Sequence, residues 1–109
     1  MIGLVPIDVK VAEPVLKRAQ EAGIPVITHE GPEQEGRTWN VELIDSVVFG
    51  EVQMQKLAKE MGEEGEYVVY VGTLTTPLHK IWADAAIAYQ EANYPNIKLV
   101  ADRFPGADE

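Results

Sequence analysis

Glu30, the stretch Thr73-Leu74-Thr75-Thr76, His79 and Trp82 are the residues whose types and positions could do chemistry. The first three follow short apolar runs closely, and Trp82 lies one helical turn past His79. What they offer is recognition rather than bond-breaking. A carboxylate at Glu30 can accept two charge-assisted hydrogen bonds from adjacent hydroxyls, although a solvated loop glutamate has the same composition. The segment from Thr73 to His79 gathers hydroxyls and the free N–H groups of a helix start, which suit a polyol or an anionic group. Helix capping competes for Thr75 and Thr76, and most directly for Thr76. His79 can donate to a ligand oxygen at neutral pH. Trp82 offers a flat face for stacking, but its spacing with Ala85, Ala86 and Tyr89 also fits core packing. Ligand-binding candidates are therefore Glu30, Thr75, Thr76, His79 and Trp82.

Other chemistries find no support. The chain has no cysteine, so thiolate nucleophiles, disulfides and Cys-ligated metals are excluded. There is no G-x-S-x-G elbow, and His29 and His79 are far apart in sequence, so a nucleophilic triad has no basis. Neither a G-x-G-x-x-G nor a G-x-x-x-x-G-K-[ST] phosphate loop is present. His29 and Glu30 are consecutive on a strand and should point to opposite faces, which argues against a metal pair. No catalytic residue, metal or cofactor is expected. A net charge of −9, from 18 acidic and 9 basic residues, would repel a phosphate backbone and makes nucleic acid an unsuitable partner. No stretch approaches the roughly 18 apolar residues of a membrane span. Met1-Ile2-Gly3-Leu4-Val5-Pro6 has neither the basic region nor the cleavage site of a signal peptide.

The elements that must position these residues alternate apolar runs with helical patterns, which predicts an α/β fold with a largely parallel sheet and flanking helices. Ile2–Val5 reads as a strand buried on both faces. A helix is predicted from about Ala12 to Ala22, with Pro14 in its first turn, an inward face of Val15, Leu16, Ala19 and Ala22, and Gly23 as its stop. Ile24–Thr28 is a second strand and Glu30–Arg37 a loop. Trp39–Leu43 alternates with period two, placing Trp39 in the core. Asp45 or Ser46 caps a helix to Met61, with Val47, Met54, Leu57, Ala58 and Met61 inward and Gly62 ending it. Tyr67–Gly72 reads as the most clearly buried strand. Thr76-Pro77 opens a helix carrying Ile81, Trp82, Ala85, Ala88, Tyr89 and Ala92, which Tyr94-Pro95-Asn96 breaks. Ile97–Asp102 is a fifth strand. The acidic ending Ala107-Asp108-Glu109 has the form of a cap opening another helix, so a longer parent chain is expected.

In order, these segments resemble the type I periplasmic binding proteins, in the branch of pentose, rhamnose and autoinducer-2 receptors. Val5-Pro6-Ile7-Asp8 and then Ala22-Gly23-Ile24-Pro25-Val26-Ile27-Thr28 are similar to the end of that family's N-terminal lobe. Ile44-Asp45-Ser46, with Gly50 five residues after the aspartate, is similar to its first hinge crossing. Glu64-Gly65-Glu66-Tyr67-Val68-Val69 and Tyr94-Pro95-Asn96-Ile97 are similar to the first βαβ of the C-terminal lobe. The resemblance covers nearly the whole chain and implies a truncated piece, the central third of a two-lobed receptor with flavodoxin-like topology. It divides the chain into 1–44, ending one lobe, and 45–109, starting the next, with Asp45 at the hinge as well as capping its helix.

The resemblance further implies a sugar or sugar-like ligand held between closing lobes and delivered to the membrane permease of an ABC importer. The expected location is periplasmic, or extracellular and membrane-anchored, with the signal peptide upstream. It implies an acidic residue at the position of Glu30. Two departures bear on the ligand: Val5 stands where pentose receptors often carry a polar residue, and residues 73 to 93 contain no arginine. The Asp-Gln pair of autoinducer-2 receptors is also absent from that loop. The alternatives are the effector-binding core of a LacI-type transcription regulator and, on fold alone, a flavodoxin-like enzyme. A piece of a larger sheet exposes apolar surface, so self-association of the fragment is also expected.

Overall fold

The computed structural model describes residues 1–101 and 103–106. Its strands and helices alternate: β1 (Ile2–Leu4), α1 (Val9–Glu21), β2 (Val26–His29), β3 (Trp39–Val41), α2 (Ser46–Met61), β4 (Gly65–Tyr67), β5 (Tyr70–Val71), α3 (Pro77–Asn93), β6 (Ile97–Leu99) and β7 (Phe104–Pro105). Every strand pairing among the described residues is parallel, so the α/β expectation holds. No described helix is long and apolar enough to cross a membrane. The residues form two compact units: Met1–Leu43 with Thr75–Leu78, and Ile44–Leu74 with the chain from His79 onward.

In the first unit the strands run in the order β1-β2-β3, and Leu16, Ala19 and Val26 form its core with Ile2 and Leu4 packed against them. β1 is not buried on both faces: Gly3 and Val5 point to solvent. Helix α1 begins a turn earlier than Pro14 suggested, because Asp8 caps it by accepting the Val11 N–H at 3.0 Å. Pro14 therefore lies inside the helix, where its missing N–H leaves one solvent-side carbonyl without an intrahelical donor. Val15 and Ala22 of the expected inward face are exposed. The loop after β2 is fastened to α1 by Glu13, whose carboxylate accepts from Gln34 Nε2, the Glu35 N–H and the Gly36 N–H. Gln34 is fully buried there and also donates to the Val9 carbonyl.

Strand β3 inverts the expected phase. Trp39 is 57% exposed, while Asn40 turns inward. The reason is polar: Asn40 Oδ1 accepts from the buried Thr28 hydroxyl at 2.8 Å and from the Gly31 N–H at 3.3 Å. The Gly31 and Trp39 carbonyls lie 3.3 and 3.4 Å from the same hydroxyl, so Asn40 Oδ1 is the nearest of its three acceptors.

In the second unit Met54, Ala58, Tyr67, Ala86 and Ile97 form the core. Asp45 caps α2 through the Val47 and Val48 N–H groups, both at 3.0 Å, and Gly62 ends it in the left-handed conformation, φ 73°. Val47 and Leu57 of the expected stripe are exposed; Gly50 is buried instead. A Cβ at Gly50 would lie 2.3 Å from the Trp82 carbonyl oxygen and 2.9 Å from Ala85 Cβ, so the glycine lets α2 touch the backbone of α3. From His79 onward the buried positions of α3 are Ala83, Ala86 and Gln90, and Ala88 and Ala92 face solvent. Gln90 fastens the unit's far end, accepting from the Tyr67 hydroxyl and donating to the Tyr94 and Ile97 carbonyls. The expected strand over 67–72 starts earlier, at Gly65, and divides into β4 and β5, paired with β6 and β7. It is buried on one face only: Tyr67 and Val71 point inward, while Val68 and Tyr70 are exposed. β6 ends at Leu99; Asp102 and Ala107–Glu109, with the cap expected there, lie outside the described residues.

Candidate functional site

In a parallel sheet the carboxyl ends of the strands open toward one edge, and the candidate residues follow those ends. Gly72 closes β5, and Pro77 occupies the first position of α3, where its missing N–H costs nothing. That start puts His79 in the first turn. Its Nδ1 accepts the Gly72 N–H at 3.0 Å, which places the ring proton on Nε2 and leaves Nε2–H as a donor. The ring packs against Trp82, with centroids 5.3 Å apart, and Phe49 meets the same indole edge-on at 5.0 Å. Trp82 Nε1 is buried and has no acceptor among the described residues. Buried donors of this kind normally find a partner, so an acceptor from a ligand or a water would satisfy it.

His79 and Trp82 line one cavity of about 340 Å³ together with Gln53, Leu57, Val68 and Tyr70. That volume falls within the range of small-molecule sites, and the lining mixes apolar walls with a few donors and acceptors. A larger groove of about 550 Å³ in the first unit is lined by Ile2, Leu4, Val5, Ile7, Val11 and Val15. Its walls are almost wholly apolar, a poor match for hydroxyl groups.

Glu30 belongs to the first unit, directly after β2. It takes a left-handed backbone, φ 58°, which is uncommon for a residue with a side chain. This turn ends the strand's alternation. His29 and Glu30 therefore do not point to opposite faces: His29 Nε2 lies 3.7 Å from Glu30 Oε1. His29 Nδ1 is 2.6 Å from the Val41 carbonyl oxygen, which makes Nδ1 its protonated nitrogen. Asn40 Nδ2 donates to Glu42 Oε1 at 2.9 Å at the end of β3, so a second carboxylate is held at a strand end. Thr75 and Thr76 belong with the first unit, and both make interactions of their own. Of the five candidates the structure brings His79 and Trp82 together; Glu30 stands with His29. The left-handed turn at Glu30 and the polar role of Asn40 were missed, although the glycine-proline pair after Glu30 signalled a chain reversal. Among the described residues no cluster of His, Cys, Asp or Glu could hold a metal.

Residues 1–109, the whole chain, match the periplasmic binding protein domain family. This chain belongs to that family. Its members are binding proteins rather than enzymes. Among solved structures it is similar to an ABC transporter solute binding protein from Clostridium phytofermentas with bound L-rhamnose, at 20% identity and TM-score 0.90, over 98% of this chain and 34% of that one. One from Burkholderia graminis in complex with D-arabinose gives 23% identity and TM-score 0.85, over 98% of this chain and 36% of that one. One from Agrobacterium vitis with bound allitol gives 26% identity and TM-score 0.83, over 99% and 36%. No curated protein matches the sequence. The chain thus spans about one third of the length of these solved structures, and the family and fold expected from the sequence are the ones found.

Proposed function

We propose that this chain is a segment of a solute-binding receptor that captures a sugar or sugar-like molecule between two lobes and delivers it to the permease of an ABC importer. The observation that carries this reading is the family match over the whole chain, supported by the likeness to receptors solved with L-rhamnose, D-arabinose and allitol. Residues 1–44 would close one lobe and 45–109 open the other, with Asp45 at the crossing. Glu30 is assigned as the acceptor of sugar hydroxyls, with Thr75 and Thr76 as hydroxyl partners, His79 Nε2–H as a donor and Trp82 as an apolar wall. Such a receptor works outside the cytoplasmic membrane, periplasmic or anchored on its outer face.

The test is saturation-transfer NMR on this chain with L-rhamnose, D-arabinose and allitol as probes. Because one third of a two-lobed site presents only part of the contacts, affinities on the order of 1 mM are expected. Glu30→Gln and His79→Ala should each weaken binding by about tenfold, the loss of one charge-assisted or buried hydrogen bond. Binding unaffected by both substitutions would remove these residues from the site.

A further inference from the structure

In the first unit one side chain ties β3 to the turn that carries Glu30. Asn40 is half-buried on β3, in register with Thr28 of β2. Its Oδ1 accepts the Thr28 hydroxyl at 2.8 Å and the Gly31 N–H at 3.3 Å, while its Nδ2 donates to Glu42 Oε1 at 2.9 Å. Chemistry allows this orientation of the amide and not the other. Turned over, its NH₂ would face the Gly31 N–H, donor against donor, and its oxygen would face the Glu42 carboxylate, acceptor against acceptor. Both lone pairs of Oδ1 are used, so that oxygen has no capacity left for a ligand. Gly31 directly follows Glu30, whose backbone at φ 58° is uncommon for a residue with a side chain. Such conformations persist where the surroundings over-determine them, and they cluster at ligand sites. The β2–β3 ladder ends with His29 against Val41, one residue short of Glu30. Beyond that point the turn is held by Asn40 on the Gly31 N–H and by close packing. A Cβ at Gly31 would lie 2.7 Å from Pro6 Cγ and 3.2 Å from Thr28 Cβ.

We infer that Asn40 is a positioning residue for ligand recognition: it sets the left-handed turn that presents the Glu30 carboxylate, and acts through Glu30 rather than by touching the ligand. The inference rests on the assignment of Glu30 as the acceptor of sugar hydroxyls. Preorganisation is what the contact contributes. A carboxylate already held in one place loses less freedom when a ligand binds, and the saving appears as affinity. The residue type follows from the two duties. This position needs an acceptor toward the Gly31 N–H and a donor toward Glu42, and a short amide supplies both. An aspartate would keep the acceptor but set carboxylate against carboxylate at Glu42. An alanine would supply neither, leaving the Gly31 N–H and the Thr28 hydroxyl to find other partners.

NMR on the 109-residue chain, without ligand and then titrated with L-rhamnose, tests it. Without ligand, Asn40→Ala should speed exchange of the Gly31 amide about tenfold and weaken the strong intraresidue HN–Hα NOE by which Glu30 reports its positive φ. With L-rhamnose, Asn40→Ala should weaken binding about tenfold, as Glu30→Gln does. The two substitutions together should weaken it about tenfold as well, because residues that act through one another are not additive. Asn40→Asp combined with Glu42→Gln keeps the acceptor for Gly31 and reverses the donor between the two side chains. It should bind within about twofold of the parent. A Gly31 amide that exchanges at the parent rate in Asn40→Ala overturns the inference. So does an additive loss of about a hundredfold in the combined Asn40→Ala and Glu30→Gln chain, which would give Asn40 a contact of its own. If Asn40→Ala fails to fold, the Asn40→Asp and Glu42→Gln pair decides, and binding about tenfold weaker than the parent overturns the inference. A parent chain that gives no response to L-rhamnose removes the sugar assignment of Glu30 instead. The Gly31 exchange and the Glu30 NOE then still decide whether Asn40 sets the turn.

Discussion

Replacing Gly50 by alanine should destabilise the second unit, although a helix ordinarily gains from that change. The exchange of glycine for alanine inside a helix is worth about 1 kcal/mol in favour of alanine. Against it stands a steric term that the structure locates. The new methyl would lie 2.3 Å from the Trp82 carbonyl oxygen, 2.9 Å from Ala85 Cβ and 3.2 Å from the Ala86 nitrogen. Ordinary carbon–oxygen contacts lie near 3.3–3.6 Å, so α2 and α3 must separate by about 1 Å. Two of the three obstacles are backbone atoms and cannot rotate aside. Overpacking of this kind typically costs about 1–3 kcal/mol, and a rigid obstacle belongs at the upper end. The net expectation is a loss of about 1–2 kcal/mol, which at this domain size lowers Tm by roughly 5–10 °C. Thermal unfolding followed by far-UV circular dichroism reads the loss. Tryptophan fluorescence should shift too, because Phe49 and Trp82 pack across the same contact. A Gly50→Ala protein as stable as the parent, or more stable, would refute the close approach of the two helices.

Three further outcomes follow from particular contacts. Burial works to raise the Asp84 pKa, but hydrogen bonds from Arg103 and Lys80 and their positive charges outweigh it and hold it below the usual carboxylate value. The stability this gives is therefore present above the ordinary aspartate range and lost as pH falls through it; Asp84 is 46% exposed, so Asp84→Asn should cost less than about 1 kcal/mol at neutral pH and nothing at about pH 2, read by urea unfolding at both. Glu13→Ala removes the acceptor of three donors that bind the 31–37 loop to α1 and should cost about 2–3 kcal/mol by urea unfolding, with faster exchange of the Glu35 and Gly36 amides. Asp45→Ala removes the α2 cap and should cost about 1 kcal/mol by the same measurement, while a loss below a few tenths would deny the cap its role.

What the sequence made legible was whatever rests on local rules. Asp45 and Gly62 bound α2, Pro77 opens α3, and the Ile24–Thr28 run holds β2, because caps, stops and apolar runs act over a few residues. Features decided by distant partners were not legible. Trp39 was placed inside by period-two alternation, but Thr28, eleven residues away, needed the amide of Asn40 instead. Pro14 suggested a helix start and so masked Asp8, because a proline on a helix's wet side is tolerated when the carbonyl it deprives meets water. Gln34 and Gln90 look like surface residues by type, yet both are buried: Gln34 donates to the Val9 carbonyl and the Glu13 carboxylate, and Gln90 to the Tyr94 and Ile97 carbonyls. β7 is too short to leave a pattern. Within the candidate site, His79 and Trp82 were found from type and spacing, and their mutual packing follows from their places on one helix turn. The left-handed turn at Glu30, which sets its carboxylate beside His29, depends on the fold around it.

The central claim is that the carboxyl ends of these parallel strands belong to a sugar site. A ¹H–¹⁵N NMR titration of the chain with L-rhamnose into the tens of millimolar, about tenfold above the expected dissociation constant, tests it most directly. The expected result is a saturable response confined to Glu30 and to the stretch from Gly72 to Trp82. Spectra that do not change, or that change only away from those residues, would contradict the claim.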